Sequence, residues 1–363
     1  MKAGLVLTDS GPVAVSFVAF RAGVDARLGV LNAAGGVNGR KIVYSWADDA
    51  SSPEQNSTVT RQLIEREQVF GLIESSVVAS GGADYLDKNG IPVIGQAIDV
   101  SWGKHQNMFS ASYVVASGPS VSTFGEFVRS QGGTRAVLME SLSSESAQRY
   151  RQQVTDSLQS AGVTIGLQVD VATEVTDPAA VVERMKAAHI DTIAGGVTPD
   201  ILAKIIPAVR AAGIPMKVIL APTGYDPVLL QQIGPLLAGT TIYLSPVPYE
   251  LNTPAHQTLL AAMSEYAPQI QPPRQQIALE GWIAADMFIR GLQAAGSCPT
   301  RESFIRGLRG VHSYDADGLL PRPVDFATNL GQLSACYEFV RISDDGRSFV
   351  PLQPPLRCGN RLG

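Results

Sequence analysis

GLIESSVVASGG, residues 71–82, opens as an apolar strand and closes on two serines followed by small residues. A strand that gives way to small polar residues and a helix start is one half of a βαβ unit. It is not a phosphate loop, because the glycines and the lysine of such a loop are not in place. The same pattern returns further along: VFGLIESSVV (69–78) resembles IDTIAGGVTP (190–199). AGLVLTDSGP (3–12) likewise resembles RAVLMESLSS (135–144), and NGIPVIGQAID (89–99) resembles AGIPMKVILAPTG (212–224). Three strand ends in the first third thus have counterparts, in the same order, in the second third.

Around these pairs, nine short apolar segments alternate with helix-length stretches through residue 245: AGLVLT, KIVYSW, VFGLIES, IPVIGQ, RAVLMES, TIGLQVD, IDTIAGG, MKVILAP and TTIYLSP. Pro53 opens one of the helices at its first turn, and Val59 and Leu63 follow one turn apart on one face. Strands alternating with helices at this spacing predict an α/β protein with parallel sheets. The repetition predicts two similar, doubly wound, Rossmann-like lobes. In open parallel sheets ligands bind beyond the carboxyl ends of the strands. Those ends are Thr8 to Ser10, Ser75-Ser76, Gln96 to Asp99, Glu140 to Ser146, Gly195 to Thr198 and Pro222 to Tyr225. They are small, polar and mostly uncharged, and two such edges suit a cleft for a small molecule. After residue 247 the pattern changes to long helices at Pro254–Tyr266 and Gln276–Ala295, the segment GLLPRPVDFATN, and a terminal hairpin. The returning segment predicts that the chain crosses between lobes more than once.

The totals set limits. With 363 residues, 45% of them hydrophobic and 17% charged, the chain has material for about two domains. A net charge of −5 and no Lys/Arg run exclude a nucleic-acid footprint and disfavour an anionic membrane surface. The longest apolar runs, such as KVILA, are strand-sized and far below a membrane span. Lys2 is followed at once by AGLVL, so Met1 reads either as a cytosolic start or as the first residue of a chain without its export segment. Cys336 and Cys358 flank a hairpin, CYEFVRI, SDDGR and SFVPL, which brings them close enough for a disulfide. The alternative, with Cys298, is three buried thiols in a cytosolic protein. No CxxC or His/Cys cluster suggests a metal site. His105, His189, His256 and His312 share no ligand spacing, and no GxSxG elbow, Walker A or GxGxxG occurs. Neither catalysis nor a cofactor is expected.

DSGPVA, LNAAGGVNGRKI, ADDASSPEQ and DKNGIPVIG together resemble the type I periplasmic binding proteins, and within them the leucine/isoleucine/valine-binding, Leu-type receptors of ABC importers. The resemblance covers nearly the whole chain. It implies a non-enzymatic receptor whose two lobes are joined by three crossover strands, near Val114–Gly118, Ser245–Pro248 and Thr328–Ala335. Residues 1–117 and 248–328 would form the first lobe, and 118–247 and 329–363 the second. The receptor would close on its ligand by hinge motion and deliver it to membrane permease subunits. It would act as a monomer, in the periplasm or as a cell-surface lipoprotein.

In the family, a serine after the third strand and small residues plus a threonine after the fourth hold the ligand carboxylate. The serine position matches Ser76 or its neighbour Ser75, and the small position matches Ala97. The threonine position is Asp99 here. The glutamate that pairs with an amino-acid ammonium aligns with Thr223, and a second-lobe tyrosine aligns with Val197. A buried ammonium without a carboxylate partner costs several kcal/mol. Two carboxylates about 4 Å apart repel by roughly 4 kcal/mol at an effective dielectric near 20. The usual zwitterion pose is therefore disfavoured. The expected ligand is an aromatic or alicyclic carboxylate, or a hydroxylated compound with apolar bulk.

The expected ligand set is Ser10, Phe17, Ser75, Ser76, Ala97, Asp99, Trp102, Ser146, Val197, Thr198, Thr223 and Tyr225. Each has a plainer reading beside it. Ser75 or Ser76 serves as a helix cap, Asp99 caps the following turn, and Phe17 and Trp102 are ordinary packing. Trp46 reads as core before cleft, Trp282 as core, and Asp48-Asp49 as capping and helix-dipole residues rather than a metal pair. Three other functions stay open: branched-chain amino acid binding, an amide-sensing regulator domain of the same fold, and an α/β enzyme.

Overall fold

The computed structural model describes residues 1–363 apart from 12, 13, 15, 16, 141–143, 172 and 176. Parts of two sequence features, DSGPVA and the stretch from 140 to 146, therefore lie outside the described residues. The elements run β1 (Lys2–Leu7), α1 (Phe20–Ala33), β2 (Val43–Asp48), α2 (Pro53–Glu65), β3 (Leu72–Ser75), α3 (Ser80–Lys88), β4 (Val93–Gly95) and β5 (Met108–Phe109). Next come α4 (Thr123–Ser130), β6 (Arg135–Glu140), α5 (Glu145–Ser160), β7 (Thr164–Asp170), α6 (Pro178–Ala187), β8 (Thr192–Ala194), α7 (Pro199–Ala211), β9 (Val218–Ala221), α8 (Pro227–Leu237) and β10 (Thr241–Leu244). The chain ends with α9 (Pro254–Tyr266), α10 (Gln276–Ala294), α11 (Arg301–Arg309), β11 (Cys336–Ile342) and β12 (Phe349–Cys358). All nine apolar segments read from the sequence are strands.

Two units form. The first comprises Met1–Gly118 and Asn252–Gln332, the second Pro119–Leu251 and Leu333–Gly363. The chain thus passes from unit to unit three times, and these passages carry no strand of their own.

The first unit holds a five-stranded parallel sheet in the order β2-β1-β3-β4-β5. Ala3 to Leu7 of β1 and all of β3 and β4 are buried, as expected of strands covered on both faces. Each buried Leu, Ile or Val contributes roughly 1.5–3 kcal/mol. The helix α10, far from α1 in sequence, packs against it and meets its backbone directly at Gly23 and Gly281. A Cβ on Gly23 would stand 1.8 Å from the Ala278 carbonyl oxygen, and one on Gly281 would stand 2.0 Å from that of Phe20. Arg27 of α1 donates to Asp286 of α10 at 2.8 Å, and Tyr314 donates to the other carboxyl oxygen at 2.9 Å. Trp282 is core, as expected. Trp46 is not: it lies on the edge strand β2, 42% exposed, with the Arg21 guanidinium 4.9 Å above its ring.

The second unit repeats the pattern. Its seven-stranded sheet has the order β12-β11-β10-β9-β8-β6-β7, with parallel pairing from β7 to β10 and antiparallel pairing for β11 and β12. Both sheets share the doubly wound order 2-1-3-4-5 in chain sequence, counting β6 as the first strand of the second. Aromatic rings fix α4 to this sheet. Phe127 stacks on Phe339 at 4.2 Å, and Phe124 lies between Tyr243 and Tyr337 at 4.5 and 4.9 Å. Cys336 and Cys358 oppose each other in the β11–β12 register and are bonded. Cys298 is free and exposed, not buried.

Candidate functional site

In a sheet of this order the chain winds both ways from the first strand. A crevice opens where the direction reverses, between β1 and β3 in one unit and between β6 and β8 in the other. At the first, β1 delivers Thr8 and β3 delivers Ser75 and Ser76. Both serines are fully buried and already hydrogen-bonded within the unit. The Ser75 hydroxyl donates to the Gln96 side-chain oxygen, and the Ser76 hydroxyl donates to Asp49 while accepting from the Val78 amide at 3.0 Å. Ser76 thereby holds the turn that leads into α3, whose N-cap residue Ala79 makes no side-chain cap.

Asp49 is the hub of this edge. Its carboxylate accepts from Thr8 Oγ1 at 2.9 Å, the Ser51 amide at 3.0 Å, Asn56 Nδ2 at 3.3 Å and Ser76. The neighbouring Asp48 accepts from the amides of Asp9, Ser10 and Ala50 at 2.9–3.1 Å. The acidic pair therefore does not cap α2. Ser52 does, accepting from the Gln55 amide at 3.2 Å with Pro53 at the first helical position. The two aspartates instead tie the ends of β1, β2 and β3 together.

Behind the serines lies Glu74, which sequence reading passed over as one polar letter in an apolar strand. It is fully buried; Asn56 donates to one oxygen at 3.0 Å, and the other has no partner among the described residues. Burial pushes its carboxyl up to about 8, against the Asn56 hydrogen bond and with help from the negative charges of Asp49 and Asp99. Asp99 caps a short 3-10 helix, accepting from the Ser101 amide at 2.8 Å, and also accepts from Ser80 Oγ at 3.2 Å. Ala97 is buried, and its carbonyl accepts from the Val114 amide at 2.9 Å. Trp102 is fully buried, with its indole N–H unpartnered among the described residues, and Phe17 is 8% exposed. Ser10 is exposed, and its carbonyl accepts from Ser51 Oγ. The structure thus joins Ser75, Ser76 and Asp99 to one polar edge of the first unit.

The second unit's crevice is less crowded. β8 ends at Ala194 and turns through Gly195, whose φ of +115° and close approach to the Met139 backbone admit no side chain. Opposite stands Glu140 at the end of β6. It is 4% exposed, and neither carboxyl oxygen has a hydrogen-bond partner among the described residues. Burial raises this carboxyl to about 7, while Arg151, with Nε 3.8 Å away, pulls it down. Next to it, Tyr150 shares a 2.5 Å hydrogen bond with Tyr243. Val197 is fully buried, Thr198 is exposed and donates to Asp200 at 2.5 Å, and Thr223 is exposed. Ser146 is half-buried in the first turn of α5. Tyr225 turns inward: it donates to Glu250 at 2.6 Å, accepts from the Tyr249 amide at 2.7 Å, and packs on Phe349. Glu140 was legible only as part of a strand end; an acidic residue closing an apolar strand is the signal that marks it.

The four histidines serve elsewhere. His105 sits 3.3–3.4 Å from Asp84 and Asp87, His256 completes the capping box of α9, His312 meets Asp325 at 3.0 Å, and His189 occupies a turn. Among the described residues no group of three His, Cys, Asp or Glu is placed to hold a metal, and no helix is long and apolar enough to cross a membrane.

Two α/β units of one strand order, each with a polar carboxyl edge, define the architecture of a bilobed ligand receptor. The sequence matches the periplasmic binding protein family over residues 1–347, and the chain belongs to that family. A Leu/Ile/Val-binding protein homologue of Brucella melitensis is 32% identical over 93 residues, a quarter of this chain and a quarter of that protein. Solved structures share the fold at lower identity. A solute-binding protein of an R. palustris ABC transporter, in complex with 4-hydroxybenzoate, aligns with TM-score 0.78 and 15% identity over 99% of this chain and 97% of that one. The branched-chain amino acid transporter substrate-binding protein LivJ of Streptococcus pneumoniae, in complex with isoleucine, aligns with TM-score 0.78 and 16% identity over 97% of this chain and 99% of that one.

Proposed function

We propose that this protein is the solute-binding receptor of an ABC importer. It captures a small molecule at the carboxyl edges of its sheets, closes by hinge motion and hands the solute to permease subunits. It performs no chemistry, works as a monomer outside the cytoplasmic membrane, and is either free in the periplasm or held at the surface by a lipid. Membership of the periplasmic binding protein family across residues 1–347 is the observation that carries this reading.

The ligand has apolar bulk and few polar groups: an aromatic or alicyclic carboxylate, or a hydroxylated compound. Thr223 supports this, standing where amino-acid receptors of the family carry their ammonium-binding glutamate. The Leu-type serine contact passes to Ser75 and Ser76 only if ligand displaces their present partners, Gln96 and Asp49.

Glu140 favours a second reading. A buried carboxyl at the β6–β8 crevice, with Arg151 3.8 Å away but no hydrogen-bond partner among the described residues, suits a ligand ammonium standing in for the missing glutamate's partner. A thermal-shift screen over amino acids, aromatic and alicyclic acids, amides and amines decides between them. A ligand at a hundred times its Kd stabilises by about 2.7 kcal/mol. A response to aromatic or alicyclic acids supports the first reading; a response to leucine or valine alone, abolished by Glu140→Gln, replaces it with the second. Turnover of any bound compound would refute the receptor reading itself.

A further inference from the structure

We propose that the second unit carries a separate binding site for an organic anion with an apolar body, at the opposite edge of its sheet from the strand ends described above. A cavity of about 480 Å³ lies under the first residues of β9 and β10, Val218 and Thr241. Glu140, Val197 and Tyr225 stand at the carboxyl ends of the same sheet, so the two places are separated by the length of the strands. Four residues of strand span about 13 Å. The volume falls in the range of small-ligand sites.

The lining divides by chemistry. Ile206 and Val209 of α7 and Val218 and Ile219 of β9 form a buried apolar backing, with Leu352 of β12 partly exposed beside them. Arg210, Lys217 and Arg341 bring three positive charges to the opening, against the single carboxylate of Asp344. Arg210 is fixed there, because its guanidinium donates to the carbonyls of Pro235 and Ala238 at 3.2 and 2.7 Å. Those contacts hold the side chain without neutralising it. Arg341 donates to Asp344 at 2.9 Å. Lys217 is exposed; its amide donates to the Asp191 carbonyl at 2.7 Å, and its ammonium has no partner among the described residues. The opening therefore carries an excess of two positive charges over an apolar floor. A carboxylate at the opening with its hydrocarbon inward satisfies both; a neutral alcohol satisfies only the floor, and an amine is repelled.

Octanoate is the probe, titrated into the full chain with carbon-13 methyl labels on Met and Ile. The Met216 and Ile206 methyls report this cavity. Saturable shifts of both are expected, with octanol and octylammonium at least tenfold weaker and acetate silent. The double substitution of Lys217→Ala and Arg341→Ala, both exposed positions, should weaken octanoate at least tenfold. Asp344→Asn should tighten it severalfold by releasing Arg341. Unmoved Met216 and Ile206 methyls at about 10 mM octanoate overturn the proposal. So does octanol binding as strongly, or either charge variant leaving the affinity unchanged. A response confined to the Met139 methyl, beside Glu140 at the end of β6, is binding at the carboxyl edge and counts against the site.

Discussion

Replacing Glu74 by Gln tests the buried edge of the first unit. The carboxyl is fully enclosed, with one oxygen accepting from Asn56 at 3.0 Å and the other unpartnered, so the amide fits the same space and keeps the Asn56 contact. Burial, with the nearby charges of Asp49 and Asp99, moves the carboxyl from an ordinary 4.5 to about 8. The folded state therefore holds a proton that the unfolded chain releases above pH 4.5. Native protein binding the extra proton means that stability falls as pH rises through this window, and the loss levels off above the folded value. Linkage with these two values gives a loss of about 2.5 kcal/mol between pH 5.5 and 7.5 from this group alone. Glu140, Glu280 and Glu338, each raised to about 7 by burial, push the same way, so the wild-type slope is a sum. The difference between wild type and Glu74→Gln isolates one residue. Urea unfolding of both at pH 5.5 and 7.5 should show the variant gaining about 2.5 kcal/mol relative to wild type across the interval. Stability curves that run parallel within about 0.5 kcal/mol would show that Glu74 does not hold its proton, and the account of this edge would fail.

Other expectations are local. Glu140→Gln should flatten the dependence of ligand affinity on pH near 7, measured by calorimetric titration with the ligand found in the screen; an unchanged profile removes Glu140 from the site. Reducing the Cys336–Cys358 bond, or replacing both cysteines by Ser, opens a loop of sequence separation 22 and should cost about 3 kcal/mol in urea unfolding. Gly23→Ala pushes a methyl to 1.8 Å from the Ala278 carbonyl oxygen, forcing α1 and α10 apart, and should lower stability by about 1–3 kcal/mol in the same assay.

The strands were legible because parallel strands buried on both faces read as short unbroken apolar runs, and the doubled order was legible because the two units repeat it. The start of α2 was legible from Pro53, but its cap was not: the sequence pointed to Asp48-Asp49, and the structure gives the role to Ser52. The polar edges were not. That Ser76 turns toward Asp49, and that Asn56 reaches from α2 to Glu74, depends on side chains 27 and 18 residues apart meeting across the sheet. No periodicity encodes such a meeting. Tyr225 shows the same limit: its position after a strand suggests a ligand contact, while Glu250 and Phe349 draw the ring inward.

The pairing of α1 with α10 also sets when the protein can fold. A chain emerging from its N-terminus completes β1 to β5 long before the helix that covers α1 exists, since all of residues 119–251 intervene. The second unit waits too, for β11 and β12 at the far end. Neither half can close around a finished core until most of the polypeptide has been made, and contacts so distant in sequence form slowly. For a member of a family that works outside the cytoplasm, that interleaving is a built-in delay: neither unit is complete until nearly all of the chain is present.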